Sequence, residues 1–288
     1  PAHPETLYAA TLDSPGPVTE DFPSSVGGVY KSTDGGTTWQ RTNCGLTNSR
    51  ITSVLVAPNT PGSVLIGVEG GTPTFTQLQG QFFEGGLYLS QNGGDHWAGA
   101  DLAADGITNG FWRILHRADR FLTFGFNFQS LDNNLGFLQS ADGGTTWAPF
   151  AESLRTSRIT GFDISQDGQT IYANARDSFF IHISTDGGTT WTRSSINQAN
   201  GPVAVSPSDP RLVLYAGSAR LYRSTDGLET VQQVLEAGNS IADIVFAPSD
   251  PQIVYAIAPG YLLYKSTDAG TTFALIKDIR TEVLNTQP

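Results

Sequence analysis

One eight-residue phrase recurs along this chain: STDGGTTW from Ser32, SQNGGDHW from Ser90, SADGGTTW from Ser140, STDGGTTW from Ser184, STDGLETV from Ser224 and STDAGTTF from Ser266. Successive copies are 40 to 58 residues apart, with the longer intervals early. A repeat of that period marks one supersecondary unit copied along the chain, each copy unable to bury its apolar face without a neighbour. Folds lacking internal repetition are excluded from the start.

Between copies, short β-rich runs alternate with turn residues: RITSVLVAP, GSVLIGVE, GGLYLS and HWAGA in one unit, SIADIVFAP, QIVYAIA, YLLYKS and TFALIK in the last. Four short strands per unit is the count of a propeller blade. Runs such as SVLVA and DIVFA are almost continuously apolar, which predicts strands covered on both faces. No segment sustains helical periodicity. The expected fold is all-β, a six-bladed β-propeller forming a single domain over residues 1–288, with one repeat hairpin per blade. The opening PAHPETLYAATLD reads as an inter-strand turn and second strand, and the tail IRTEVLNTQP as a first strand. Pairing the two chain ends would close the ring and remove free edges.

Within the phrase, an Asp at the start of a turn accepts hydrogen bonds from N–H groups further on, and the glycine after it takes the positive φ that other residues avoid. The Trp beginning the next strand folds back and buries its ring. Asp34, Asn92, Asp142, Asp186, Asp226 and Asp268 are therefore expected to organise turns, and Trp39, Trp97, Trp147, Trp191 and Phe273 to pack. Asn92 keeps the acceptor without the charge, Val231 keeps apolar bulk, and Leu228 in place of the second glycine predicts an altered hairpin in that blade. Calcium binding is the minor alternative, since the ligand pattern of an EF-hand loop and its terminal Glu are missing.

Repeated once per blade from Ser32 to Phe273, the S-x-D-x-G-x-T-W pattern resembles the Asp-box, or bacterial neuraminidase (BNR) repeat. That resemblance implies the propeller architecture and leaves activity open, because sialidases, xyloglucan-type endoglucanases, sortilin-like receptors and photosystem assembly factors share it. It also implies an extracellular or cell-envelope location. A propeller of this kind carries its motif hairpins toward one face, so function is to be sought on the opposite one.

The formal net charge of -11 repels phosphate, which argues against nucleic acid and anionic membranes as partners. No apolar run approaches the roughly 20 residues that span a bilayer. Cys44, the lone cysteine, has no His near it in sequence and reads as a small residue at a strand end. His3, His96, His116 and His182 show no metal-ligand spacing, so no metal and no cofactor are expected.

Three loops between second and third strands are enlarged, after Ala10, Val68 and Thr123, whereas those of the last three blades are nearly minimal. They carry Phe22, Phe75, Phe82, Phe83, Phe124, Phe126 and Phe128, and the inter-blade segment ITNGFWRIL adds Phe111 and Trp112. Clustered aromatics among polar groups mark carbohydrate or protein contact, and long loops also use such rings as a small core of their own. Arg50 and Arg158 stand at equivalent first-strand mouths in NSRITSV and TSRITGF, while Arg113 and Arg280 fall out of register. Arginines so placed either grip a ligand carboxylate or form a structural ion pair. The expected ligand surface is Arg50, Phe82, Phe83, Phe111, Trp112, Phe126, Phe128 and Arg158, on a non-catalytic binding or scaffolding module for a protein or a glycan. The alternative is a glycoside hydrolase, which needs a carboxylate pair about 5 Å apart or wider, or a Tyr nucleophile. Its candidate acids, Glu20, Asp21, Glu69, Glu84 and Asp132, are placed by no motif, and the Arg-Ile-Pro of sialidases is echoed only by RIT at Arg50 and Arg158.

Overall fold

Each copy of the repeat folds with its flanking β-rich runs into a small antiparallel sheet. A computed structural model describes residues 5–11, 27–46, 49–58, 60, 62–70, 85–102, 110–111, 113–126, 135–197, 199–260 and 262–278. Two compact units divide the chain, Pro1–Thr156 and Ser157–Pro288.

In the first unit, β1 (Leu7–Thr11), β2 (Gly28–Ser32) and β3 (Gln40–Arg41) form one sheet, and β4 (Ile51–Val56), β5 (Val64–Val68), β6 (Gly86–Ser90) and β7 (Ala98–Gly99) the next. The third sheet receives two short inter-blade strands, β8 (Asp101–Leu102) and β9 (Gly110–Phe111), before β10 (Leu115–Arg117), β11 (Arg120–Phe126), β12 (Gly136–Ser140) and β13 (Thr146–Phe150). In the second unit, β14 (Ile159–Ile164), β15 (Ile171–Ala175), β16 (Phe180–Ser184) and β17 (Thr192–Arg193) form the fourth sheet. The fifth is β18 (Val203–Val205), β19 (Val213–Gly217), β20 (Arg220–Ser224) and β21 (Gln232–Glu236). The sixth is β22 (Asp243–Ala247), β23 (Asp250–Ala258), β24 (Leu262–Ser266) and β25 (Ala274–Asp278). The fold class is the all-β, six-bladed β-propeller.

Two features depart from a uniform four-strand blade. The first sheet has three strands among the described residues, and the expected ring closure by the chain ends rests on residues 1–4 and 279–288, outside them. The third sheet is widened by β8, parallel to β13, and by β9 on β11.

Burial also differs from the sequence reading. The second strands β5, β15 and β19 are buried at every position, whereas the apolar first strands β4 and β22 leave Val56 49% and Val245 42% exposed. The pattern is not uniform, since the first strand β18 is buried at every position and the second strand β23 carries exposed residues along its length. Each core cluster joins two successive sheets: Leu65 and Leu87 meet Phe121, Leu138 and Trp147 in the first unit, and Leu214 and Leu221 meet Ile244 and Val254 in the second. Full burial of one such side chain stabilises by about 1.5–3 kcal/mol, so blade stacking is the main source of stability.

Candidate functional site

The repeated carboxylate is occupied within its own hairpin. Asp34 receives the Ser32 hydroxyl at 2.7 Å, the Thr38 hydroxyl at 2.6 Å and the Thr38 N–H at 2.9 Å, while Ser32 Oγ accepts the Gly36 N–H at 2.9 Å. The same network surrounds Asp142, Asp186, Asp226 and Asp268. Asn92 holds the turn with its amide oxygen alone, accepting from Ser90 Oγ at 2.9 Å and the His96 N–H at 3.0 Å. These bonds to the charged form, led by the Thr38 hydroxyl, hold Asp34 down at about 2 against an ordinary 3.8.

Three details correct the sequence reading of the hairpins. The hairpin with Leu228 is not altered: Leu228 adopts φ +73, its N–H still reaches Ser224 Oγ at 2.8 Å, and burial of its side chain compensates the strained backbone. Trp39 is 41% exposed, flanking Gly36 with Leu7 on the blade whose expected first strand lies outside the described residues. Trp97 is buried by reaching out of its own hairpin, donating from its indole to the Thr42 carbonyl at 2.7 Å. The other three motif tryptophans, Trp39, Trp147 and Trp191, donate instead to the carbonyl of the second motif glycine.

Arg50 and Arg158 occupy the same local geometry in their respective sheets. The Arg50 carbonyl accepts the Glu69 N–H at 2.8 Å, and the Arg158 carbonyl accepts the Arg176 N–H at 2.8 Å. One residue later both strands bulge, between Ile51 and Ser53 and between Ile159 and Gly161. The extra residue is a Thr in each case, and its hydroxyl donates across the strand pair, Thr52 to the Gly67 carbonyl at 3.1 Å and Thr160 to the Asn174 carbonyl at 3.5 Å. The recurring RIT is thus a bulge motif, a device that re-aims the preceding side chain. Thr52 and Thr160 were missed as site-forming residues, and the repetition of the triplet was the signal for them.

The two arginines then differ. Arg50 Nη2 lies 3.0 Å from Glu69 Oε2, both half-buried, and the matching position beside Arg158 is Arg176, so the second mouth carries two cations. Asp177 meets Arg158 through the backbone, accepting its N–H at 3.0 Å. Arg113 is half-buried, and Arg280 lies outside the described residues.

Of the predicted aromatics, the fold brings the backbones of two together. In β9, Phe111 stands opposite Gly125 and Gly110 opposite Phe126, which lays the inter-blade segment against the end of β11. β9 also runs beside β4, β5 and β6, the sheet that carries Arg50 and Glu69. Phe124 belongs to the core instead: it is fully buried, edge-on to Phe137 at 5.0 Å, because β11 continues through the segment read as loop. Phe22, Phe75, Phe82, Phe83, Trp112 and Phe128 lie outside the described residues, as do Glu20, Asp21, Glu84 and Asp132.

Cys44 is likewise corrected. It sits exposed in a turn beyond β3, and the fold brings His96 to it, Sγ to Nδ1 3.5 Å, across 52 residues of sequence. His116 is half-buried against Phe121 at 4.6 Å, and burial pushes its imidazole below the usual range. Among the described residues no three His, Cys, Asp or Glu side chains converge as a metal site, and no helix is long and apolar enough to cross a membrane.

Comparison with known proteins agrees with this architecture. The BNR/Asp-box repeat model matches residues 30–41 and 182–193. A xyloglucanase of a Paenibacillus species is 28% identical over 149 residues, 49% of this chain and 14% of that protein. The crystal structure of the GH74 xyloglucanase from Xanthomonas campestris superposes with a TM-score of 0.67 at 15% identity, covering 96% of this chain and 44% of that one. YCF48 bound to D1 peptide superposes at 0.51 and 17% identity, covering 79% of this chain and 67% of that one. At these identities the structural likeness is one of fold, and the chain spans less than half the length of the xyloglucanases it matches.

Proposed function

We propose that this Asp-box repeat propeller is a non-catalytic binding or scaffolding module, acting outside the cell or at its envelope, that takes a protein segment or a glycan on one end of the first unit. The observation carrying this reading is the convergence there of the Arg50–Glu69 ion pair, the bulge at Thr52 and the added strand β9 with Phe111. The carboxylate 3.0 Å away fixes the direction of the guanidinium, a planar group suited to recognising carboxylates and other acceptors. Glu69, which a hydrolase would need free as acid or nucleophile, has one oxygen engaged by that arginine. Fold likeness to YCF48, whose structure holds a D1 peptide, supports peptide recognition as one form of the activity.

The second reading, a glycoside hydrolase on an extracellular glycan, draws its support from the sequence similarity to xyloglucanase. One set of measurements separates the two. The parent chain, Arg50→Ala and Trp112→Ala are applied to glycan and peptide arrays, and reducing-end release from soluble xyloglucan is followed in parallel. Binding in the parent that falls about tenfold in either variant, with no sugar release, is the expected result. Unchanged binding in both variants would sink the surface, and steady release by the parent above a heat-inactivated control would establish the hydrolase.

A further inference from the structure

We propose that a groove in the second unit, between the β15–β16 and β19–β20 turns, is a binding site for a neutral oligosaccharide. It stands independent of the reading above, whose surface belongs to the other unit. The groove has a volume of about 670 Å³, inside the range of small-ligand clefts, and is lined by Phe179, Phe180, Asn197, Asn200, Arg220 and Glu236 among others.

Phe179 carries the argument. It stands at φ +59, a conformation that bulky side chains rarely adopt, and the residue is 50% exposed. A half-exposed aromatic residue on a strained backbone gains only part of what full burial would return, and such outliers collect where a ligand is held. The turn is pinned rather than loose: the Phe179 N–H donates to the Ala175 carbonyl at 2.8 Å, and its carbonyl accepts the Ala199 N–H at 3.2 Å. Phe180 beside it already has the Arg193 guanidinium over its ring at 4.2 Å, which leaves Phe179 as the uncovered aromatic face. Across the groove, Ser218 at φ +57 is fixed by Asn200, whose amide oxygen accepts the Ser218 N–H at 2.6 Å and whose amide donates to its hydroxyl at 3.1 Å.

The polar lining selects the ligand class. Arg220 and Glu236 face each other across β20 and β21, 3.6 Å apart and both about half exposed, so their charges cancel without being consumed. Exposed pairs of this kind contribute little to stability. Guanidinium donors, carboxylate acceptors and the exposed Asn197 amide, which does both, match hydroxyl groups that donate and accept in turn. A sugar ring offers such hydroxyls around a face of C–H groups that stacks on an aromatic ring. A peptide fits less well: strand addition needs a free sheet edge, and of the lining only Glu236 stands on an edge strand, β21, the rest coming from turns, the β17–β18 connection and interior strands.

The test is calorimetric titration of the 288-residue chain with cellohexaose, mannohexaose, xylohexaose and maltohexaose. At least one binds the parent, and Phe179→Gly and Arg220→Ala each weaken that binding by about tenfold or more. Phe179→Gly melts no lower than the parent, because glycine takes φ +59 freely. Binding of none of the four overturns the proposal. Undiminished affinity in folded Phe179→Gly also overturns it, and when accompanied by loss in Arg50→Ala it assigns the sugar to the first unit instead.

Discussion

Leu228 and Ala269 occupy left-handed positions that the other motif copies give to glycine, at φ +73 and +53. For a residue with a Cβ this conformation costs about 1–2 kcal/mol, so what each side chain returns decides whether the exchange is favourable. Leu228 returns a great deal, being 2% exposed in the cluster of Tyr172, Val213 and Tyr215. Leu228→Gly should therefore destabilise by about 1–3 kcal/mol despite relieving the backbone, since a large buried side chain is worth more than the strain. Ala269 has one methyl to offer, and Ala269→Gly should stabilise by up to about 1 kcal/mol after the entropy of the freer unfolded chain is deducted. Denaturant midpoints of both variants check this pair, and shifts of the same sign would show the burial argument to be wrong. The departure at Leu228 was visible in the sequence. Its consequence was not, because the compensation comes from side chains on other strands.

At the level of the hairpin, the five aspartates form one acid-sensitive set. In Asp34, Asp186, Asp226 and Asp268 the Thr hydroxyl two strand-side positions from the glycines is the largest cause, followed by its N–H and the Ser hydroxyl, and each carboxyl is held at about 2. For Asp142 partial burial pushes the other way, and the bonds from Thr146 and Ser140 outweigh it to reach about 2 as well. A folded value below the unfolded 3.8 means that the stabilisation is complete above that pH and lost as pH falls through the folded value. The denaturant midpoint should therefore be flat from pH 7 to about 5 and fall between about pH 4 and 2. Asp186→Asn should keep the hairpin, as Asn92 does, and remove its share of that fall; an unchanged acid limb in the variant would rule the carboxylates out as its source. This element was the most legible part of the chain, because acceptor, glycine and hydroxyl lie within eight residues and bond mainly to one another.

For the molecule as a whole, the charge of -11 predicts retention on an anion exchanger at pH 7 and passage through heparin in low salt. Firm heparin binding would point to a local basic surface that the net charge conceals, with the paired arginines Arg158 and Arg176 the first place to look. The sequence by itself determined the all-β class, the count of repeat hairpins and the positions of most strands, because period, turn residues and strand pattern act over short separations. Only the tertiary structure decided what those strands bring together. Glu69 came to Arg50, His96 to Cys44 and β9 to the end of β11, and turns around Phe179 and Ser218 came to frame one groove. The physical reason is that such meetings depend on bulges, strand register and the stacking of neighbouring sheets, each set by packing among residues tens of positions apart rather than by any local pattern.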